Sequence, residues 1–554
     1  MTIDIETRTR ELQPLHLVNE RQESQRSSTY SSELEEDPHT HGADFDCYEE
    51  GEMSPMSKGF VHIFLSYWRN YWFPTNTPRA LQLFRYENIA IPASYLVVGI
   101  LQGMLRPLMN VWPLDLGATE AQQTTLAQIA TLPAACKIIF GFWSDNVPIA
   151  GCRRKPYMVL GWLLCSYIVA RLLHDYQLTD DHHQSQSPTE KDKPPLTFLG
   201  VTFVLYGAGL WCADVMVDSV VVQKVKIESE ERRGQLQSTC YVIRFFGLMI
   251  AATASTYMYS TYGPASILKI LMVVPLLLLP LIARMDEDTS VQPRFQKQCK
   301  EIWRTVCRRS VWQPMAFIYI FNLLQVSNAA WRQFLSTRLS FGASQLNILL
   351  VVSYIFLYIG TLTYKCFFLH LSWRRLYQVS IGINCILSSL QLLLIRHKTF
   401  GIPPYWFALG DDAFAEFIVG IQFLPTMIVM VSLCPTGSEG ASYAMFTTVF
   451  NVAQMIAPAL SSSLLGIYDV SKERLEEGGL NGMFNLTIVT TLIQISPILF
   501  VGLLPHGRKE LEELAKMPYS GSALIGFVFL CVLFGSVAYT VIVSVTNIVN
   551  GGLS

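Results

Sequence analysis

Charge is what this chain has least of. Only 15% of its 554 residues are Asp, Glu, Lys or Arg, against about 25% in an ordinary soluble domain, a shortfall of roughly 55 charged side chains. The shortfall falls in long apolar blocks, while the first sixty residues and a few loops hold much of the charge that remains. That distribution excludes a soluble enzyme and a disordered scaffold. An excess of positive charge is missing too: the formal net charge is −2, so no nucleic-acid partner is expected. The twelve cysteines are scattered, with no CxxC pair and no Cys/His cluster. A disulfide framework and a zinc module are therefore excluded, and neither a metal nor a cofactor is expected. No phosphate-binding loop and no paired nucleophile and base are present, which argues against an enzyme and an ATP-driven pump.

What the chain has is apolar runs long enough to cross a bilayer, which takes about 20 residues per helix. The first half offers 89–112, 120–143, 156–175, 196–220, 235–259 and 264–284; the second offers 311–335, 344–368, 376–395, 406–433, 440–466 and 482–504. A thirteenth run, 522–548, follows a charged connector at 505–521. The runs do not alternate with period two, so a β-barrel is excluded. The fold class expected is an all-α polytopic membrane protein. Its six-helix halves would span 89–284 and 311–504, joined by a basic connector at 285–310, with 522–548 as an extra membrane helix. Two such halves match the major facilitator architecture.

Loop charge sets the orientation. With the N-terminus cytoplasmic, the loops holding Arg153, Arg154 and Lys155, Lys224, Lys226, Arg232 and Arg233, and Arg374 and Arg375 all lie inside. That puts about twenty basic residues inside and about nine outside, as the positive-inside rule requires. Residues 1–58 are acidic and Ser-rich and fit neither a signal nor a transit peptide; a disordered cytoplasmic tail is expected. Residues 59–88 carry Phe60, Phe64, Leu65, Trp68, Tyr71 and Trp72 at helical spacing, an interfacial amphipathic segment or an extension packed beneath the bundle.

Three stretches go beyond hydropathy. One runs from Leu132-Pro133 through Lys137 to Gly141-Phe142-Trp143-Ser144-Asp145 and on to Arg153-Arg154-Lys155-Pro156-Tyr157. The second is Ala213-Asp214-Val215-Met216-Val217-Asp218-Ser219, with Gly234-Gln235-Leu236-Gln237-Ser238 and Arg244 after it. The third is Leu424-Pro425, then Leu433-Cys434-Pro435-Thr436-Gly437-Ser438-Glu439-Gly440, and Asn451. In this order they resemble the folate–biopterin transporter family of the major facilitator superfamily, over about residues 85–505. The resemblance implies a secondary transporter of folate, pterin or a related small organic anion, with protons as coupling ion, working by alternating access. Gln223 and Cys152 depart from the family pattern, at positions where a glutamate and an aromatic are usual. A carrier of another small metabolite, nucleoside-like or sulfonium, is the alternative; a non-transporting receptor is a more distant one. The plasma membrane is the expected residence, an organelle membrane the alternative.

The deep polar residues supply the candidate site. Asp214 and Asp218 are four residues apart and share a helix face. Arg244 falls at comparable depth on the next span. A charge at a helix centre costs ~2.5–3.5 kcal/mol on insertion scales, so these groups should face a cavity or one another. Either Arg244 meets an anionic substrate group and an aspartate takes a proton or a ring donor, or an Asp–Arg pair ties two helices together. Lys137 is either part of this site or a lysine that snorkels to the interface. Asn322, Gln325 and Asn328 recur every three residues on the seventh span, and Asn451 and Gln454 on the eleventh; their amides either bind a heterocycle or join helices. On the tenth span Asp411, Asp412 and Glu416 descend from the outer end, with Gln422 deeper; Glu416 is the better proton site, Asp411 the better family match. Asp145, Arg153, Arg154 and Glu439 are expected to form a cytoplasmic gate, with topology anchoring and helix capping as the plainer accounts. For Arg106 and Arg332, near the outer ends of spans one and seven, snorkelling is favoured over an anion funnel. His182 and His183 read as a solvated loop rather than metal ligands.

Overall fold

The computed structural model describes residues 78–183, 196–229, 232, 234–287, 295–435, 437–517 and 521–550. The acidic tail, most of the interfacial segment, Arg233 and residues 288–294 of the connector lie outside the described residues. Among those described there is no β-strand, and eleven helical stretches are long and apolar enough to cross a membrane.

The first half contains α1 (Ala90–Asn110), α2 (Glu120–Ala135), α3 (Lys137–Asn146), α4 (Lys155–His183), α5 (Leu196–Val225) and α6 (Gln235–Leu276). The last of these belongs to a 50-residue apolar stretch, Gln235–Arg284. As one straight helix it would run about 75 Å, far beyond a ~30 Å hydrocarbon core. It is broken at Gly263, whose φ of 72° is left-handed, with Pro264 next. The chain folds back there: Ser266 Oγ reaches the Met258 carbonyl at 3.5 Å, eight residues that a straight helix would hold about 12 Å apart. The fifth and sixth spans are therefore distinct, as the sequence predicts.

The second half follows an amphipathic helix, α7 (Phe295–Cys307), and comprises α8 (Arg309–Leu323), α9 (Trp331–Thr337), α10 (Ala343–Thr363), α11 (Trp373–Ile395), α12 (Pro404–Leu433), α13 (Glu439–Leu465) and α14 (Asn481–Ile495). A short surface helix, α15 (Arg508–Lys516), precedes the long apolar α16 (Ala523–Asn550). The connector is thus not merely a loop. Phe295 of α7 meets Phe142 of α3 edge-on at 5.4 Å, and Gln298 reaches Asp145.

Two spans differ from the continuous helices predicted. The second is split between α2 and α3 at Cys136 (φ −102°, ψ 13°). The seventh stops at Leu323 and resumes at Trp331, so Gln325 and Asn328 stand in unwound chain and share no helical face with Asn322. Irregular backbone at membrane depth is tolerated where protein or a polar cavity satisfies it.

Close packing sets the rigid parts. At Gly99 an added Cβ would lie 2.0 Å from the Arg244 carbonyl oxygen, and at Gly103 it would lie 2.7 Å from the Ala251 Cβ. This small-xxx-small spacing lets α1 and α6 touch backbone to backbone. Gly360 on α10 similarly meets the Phe417 carbonyl of α12. Across the seam between the halves, α2 and α3 pack on α13, and α6 packs on α10. Helix α16 lies against α2, α8 and α13, on one side of that seam. Its Ser536 bonds Tyr319 at 2.7 Å and its Asn547 donates to Gln128 at 3.4 Å.

Candidate functional site

The break in the second span builds the site. Pro133 lacks an N–H and weakens the helical ladder one turn earlier. At the break, the bond that would join the Ile138 N–H to the Ala134 carbonyl is open, and the second half completes both groups. Asn451 donates to the Ala134 oxygen at 2.9 Å, and the Ile138 N–H donates to Thr448 Oγ1 at 3.0 Å. Lys137 thereby begins a new helix with its ammonium directed inward.

That ammonium lies 2.6 Å from Asp214 Oδ2 and 4.4 Å from the ring centre of Trp211. The other oxygen of Asp214 accepts from Arg244 Nη1 at 2.9 Å. Arg244 also donates to Gln102 Oε1 at 3.3 Å through Nε and Nη2. One carboxylate thus holds two cations, and all three side chains are buried. Asp218 is served differently: Tyr95 donates to its Oδ1 at 2.5 Å, while its Oδ2 is buried with no hydrogen-bond partner among the described residues. No cation lies within ion-pair distance of Asp218 among those residues, so its charge is not held as that of Asp214 is.

Aromatic rings from both halves roof this network. Tyr241 meets Tyr95 at 5.4 Å and Phe423 at 5.1 Å, and Phe423 meets Phe245 at 5.0 Å. Tyr443 of α13 lies 3.2 Å from the Tyr241 hydroxyl, with Gln237 donating to it at 3.1 Å. The result is a buried, polar, aromatic-walled centre at the seam.

Of the residues singled out in the sequence, Lys137, Asp214, Asp218, Arg244 and Asn451 come together here. Gln422 precedes Phe423, and its buried Nε2 has no partner among the described residues. Asp411 does not join them; it accepts from Gln391 of α11 at 2.9 Å. Glu416 lies within electrostatic reach of Arg106 across the seam. Gln325 sits in the seventh-span break, and Asn328 ties that break to Thr487 at 2.9 Å. Tyr95, Gln102, Trp211, Tyr241 and Tyr443 went unnoticed in the sequence. Gln102 lies seven residues after Tyr95 and Trp211 three before Asp214, a one-face spacing that could have found them. Lys365 was also missed. It is buried in a π-helical turn, Tyr364–Phe368, near a span end where lysines ordinarily snorkel.

The face carrying the basic loops is sealed. Asp145 receives the Arg154 guanidinium, Gln298 Nε2 at 2.9 Å and, from the opposite half, the Ala441 N–H at 2.8 Å. Glu439 pairs with Lys226 at 2.8 Å, a residue outside the gate expected from the sequence. Arg153 forms no ion pair among the described residues; its backbone N–H donates to Glu287 at 2.6 Å. At the opposite face the halves part around a cavity of about 940 Å³.

Comparisons with known proteins agree with this architecture. The model of the BT1 family matches residues 99–520. The Folate-biopterin transporter of Synechocystis sp. is 27% identical over 444 residues, 77% of this chain and 83% of that protein. Folate transporter 1 of Plasmodium falciparum is 23% identical over 385 residues, 68% of this chain and 72% of its own. Among solved structures, a bacterial homologue of the iron transporter ferroportin in an outward-facing state superposes with a TM-score of 0.53 at 11% identity, covering 75% of this chain and 99% of that one. The major facilitator proton:xylose symporter superposes with 0.53 at 12%, covering 77% and 98%.

Proposed function

We propose, from the premise that the chain belongs to the BT1 family and is a multi-pass membrane transporter of the major facilitator fold, that its cargo is a folate, a pterin or a related small organic anion moved with protons. The observation that carries this reading is the Lys137–Asp214–Arg244 network beneath a layer of aromatic rings drawn from both halves. Flat rings accept a flat heterocycle by offset or edge contact. Arg244 presents a planar fork of donors that suits a carboxylate or a ring carbonyl, and an arriving anion competes with Asp214 for it. Asp218 is the proton site in this reading, because no cation holds its charge in place. Glu416 is a second candidate, under the electrostatic influence of Asp412 and Arg106.

Alternating access follows from the seam. With the basic face cytoplasmic, the Asp145 and Glu439 contacts close the inside while the opposite cavity stays open, an outward-facing state. A charge pair made in one state and parted in the other biases the equilibrium between them. In this reading the N-terminus lies inside, and we propose the plasma membrane as the residence.

Uptake of radiolabelled folate and biopterin by proteoliposomes tests this. Acidifying the outside should raise uptake, a protonophore should collapse it, and Asp218→Asn should leave flux that no longer responds to the proton gradient. Wild-type flux indifferent to both treatments would rule out proton symport; accumulation of neither compound would rule out the cargo.

A further inference from the structure

The cavity at the open face contains chemistry that the buried network does not use. It is lined from the first half by Arg106 of α1 and by Ser255 and Tyr259 of α6, and from the second by Arg332, Tyr354 and Lys472. Its volume, about 940 Å³, is at the upper end of the range for small-molecule sites. Three cations line it, and among the described residues no Asp or Glu does. Two carboxylates stand near it without pairing with these cations: Asp115, which accepts from the Tyr259 hydroxyl at 2.5 Å, and Glu416, on which Asp412 and Arg106 both act electrostatically. Arg106, Arg332 and Lys472 enter no ion pair among the described residues. These cations therefore line a space between the halves with no carboxylate paired to them.

We propose that this cavity is a second anion site, selective for the dicarboxylate end of an elongated cargo whose ring occupies the buried centre. The proposal rests on the organic-anion reading above and narrows it, favouring a folate-like aryl dicarboxylate over a neutral pterin. Three observations meet here. Low-dielectric walls around one sign of charge focus the field on an entering anion. Arg106 stacks its guanidinium 5.3 Å from the Tyr354 ring centre, an arrangement that leaves the in-plane donors available for a carboxylate. Ser255 on the cavity wall is eleven residues beyond Arg244 on α6, about 16 Å along the helix, so a cargo reaching both sites is long and carries its recognition groups at opposite ends. The cations also come from opposite halves. Closing the empty cavity would press Arg106 towards Arg332 and Lys472, whereas a bound dianion offsets two of the three charges and draws the halves together. A monoanion offsets only one and closes the cavity less well.

The test uses the purified full chain in lipid nanodiscs, with glutarate, butyrate, folate and biopterin as probes in calorimetric titrations. Glutarate should bind the wild type in a salt-sensitive manner, and butyrate about tenfold more weakly or less. Arg106→Gln and Arg332→Gln should each weaken glutarate and folate by about tenfold, the loss of one charge-assisted contact, and leave biopterin binding and the ligand-free melting temperature unchanged. Failure of glutarate to bind the wild type, or folate binding indifferent to both substitutions, would overturn the second site. If folate does not bind yet glutarate does so through these arginines, the second site stands and the folate cargo falls.

Discussion

Asp214 is shared by two cations, and that count decides which substitutions the buried network tolerates. Asp214→Asn leaves Lys137 and Arg244 unmatched, and an uncompensated buried charge costs on the order of 3–5 kcal/mol. Surface expression should fall severely. Arg244→Gln leaves the Lys137–Asp214 pair, 2.6 Å apart, electrically balanced; this variant should reach the membrane and fail to move an anion. The Asp214→Asn, Arg244→Gln double variant should stay poorly expressed, since Lys137 then stands alone, and adding Lys137→Gln should restore expression without uptake. Surface labelling and uptake measured across the series decide the matter; a well-expressed, transporting Asp214→Asn would refute the shared-carboxylate account. Lys137, Asp214 and Arg244 were legible in the sequence because charge is costly in a membrane helix. Tyr95, Tyr241 and Tyr443 were not, since aromatic residues are ordinary in such helices and only the packing of α1, α6 and α13 brings their rings together.

At the level of the helix, two kinds of backbone feature matter. The breaks at Cys136 and after Leu323 were not read from the sequence, because amides such as Gln325 and Asn328 fit a continuous helix bonded to its neighbours as well as they fit an unwound turn. Pro133 hinted at the first, but what sustains it is the reach of Asn451 and Thr448 from the other half. Close approach is the other feature. Gly99→Val would drive a side chain into the Arg244 carbonyl, 2.0 Å from the new Cβ, where no flexible atom can give way. Overpacking of this kind typically costs 1–3 kcal/mol or more. The expected outcome is a lowered melting temperature and loss of uptake, as α6 and its Arg244 shift away from Gln102. A Gly99→Val protein with wild-type melting and flux would show that the α1–α6 contact is looser than described.

Across the whole molecule, the basic face is sealed while a cavity opens at the opposite face, which is one state of the alternating access proposed above. Asp145 ties Arg154, Gln298 and the Ala441 N–H into a single contact between the halves. Asp145→Asn removes the charge at its centre and should shift the population towards the state open at the basic face. In a background free of native cysteines, Ser442→Cys on α13, buried beneath the contact, should react severalfold faster with an impermeant maleimide applied from that face. Unaltered reactivity and transport would reduce Asp145 to a helix-end residue. Helix α16 spans the α2–α13 side of the same seam, where the alternating access proposed above would require it to slide or part.

The amino-acid sequence alone determined the class of molecule, the approximate position of most of its long apolar helices and the identity of several of its costly buried charges. Each of these depends on local composition: burial in lipid selects long apolar runs, and every charge inside one must be compensated. Tertiary structure alone decided the pairings. Asp214 takes two cations, Glu439 meets Lys226, Asp411 turns to Gln391 and Arg106 faces a cavity with Arg332. The physical reason is that partners in these contacts lie on different helices, and which helix faces meet is set by close backbone packing and by breaks that local sequence does not encode.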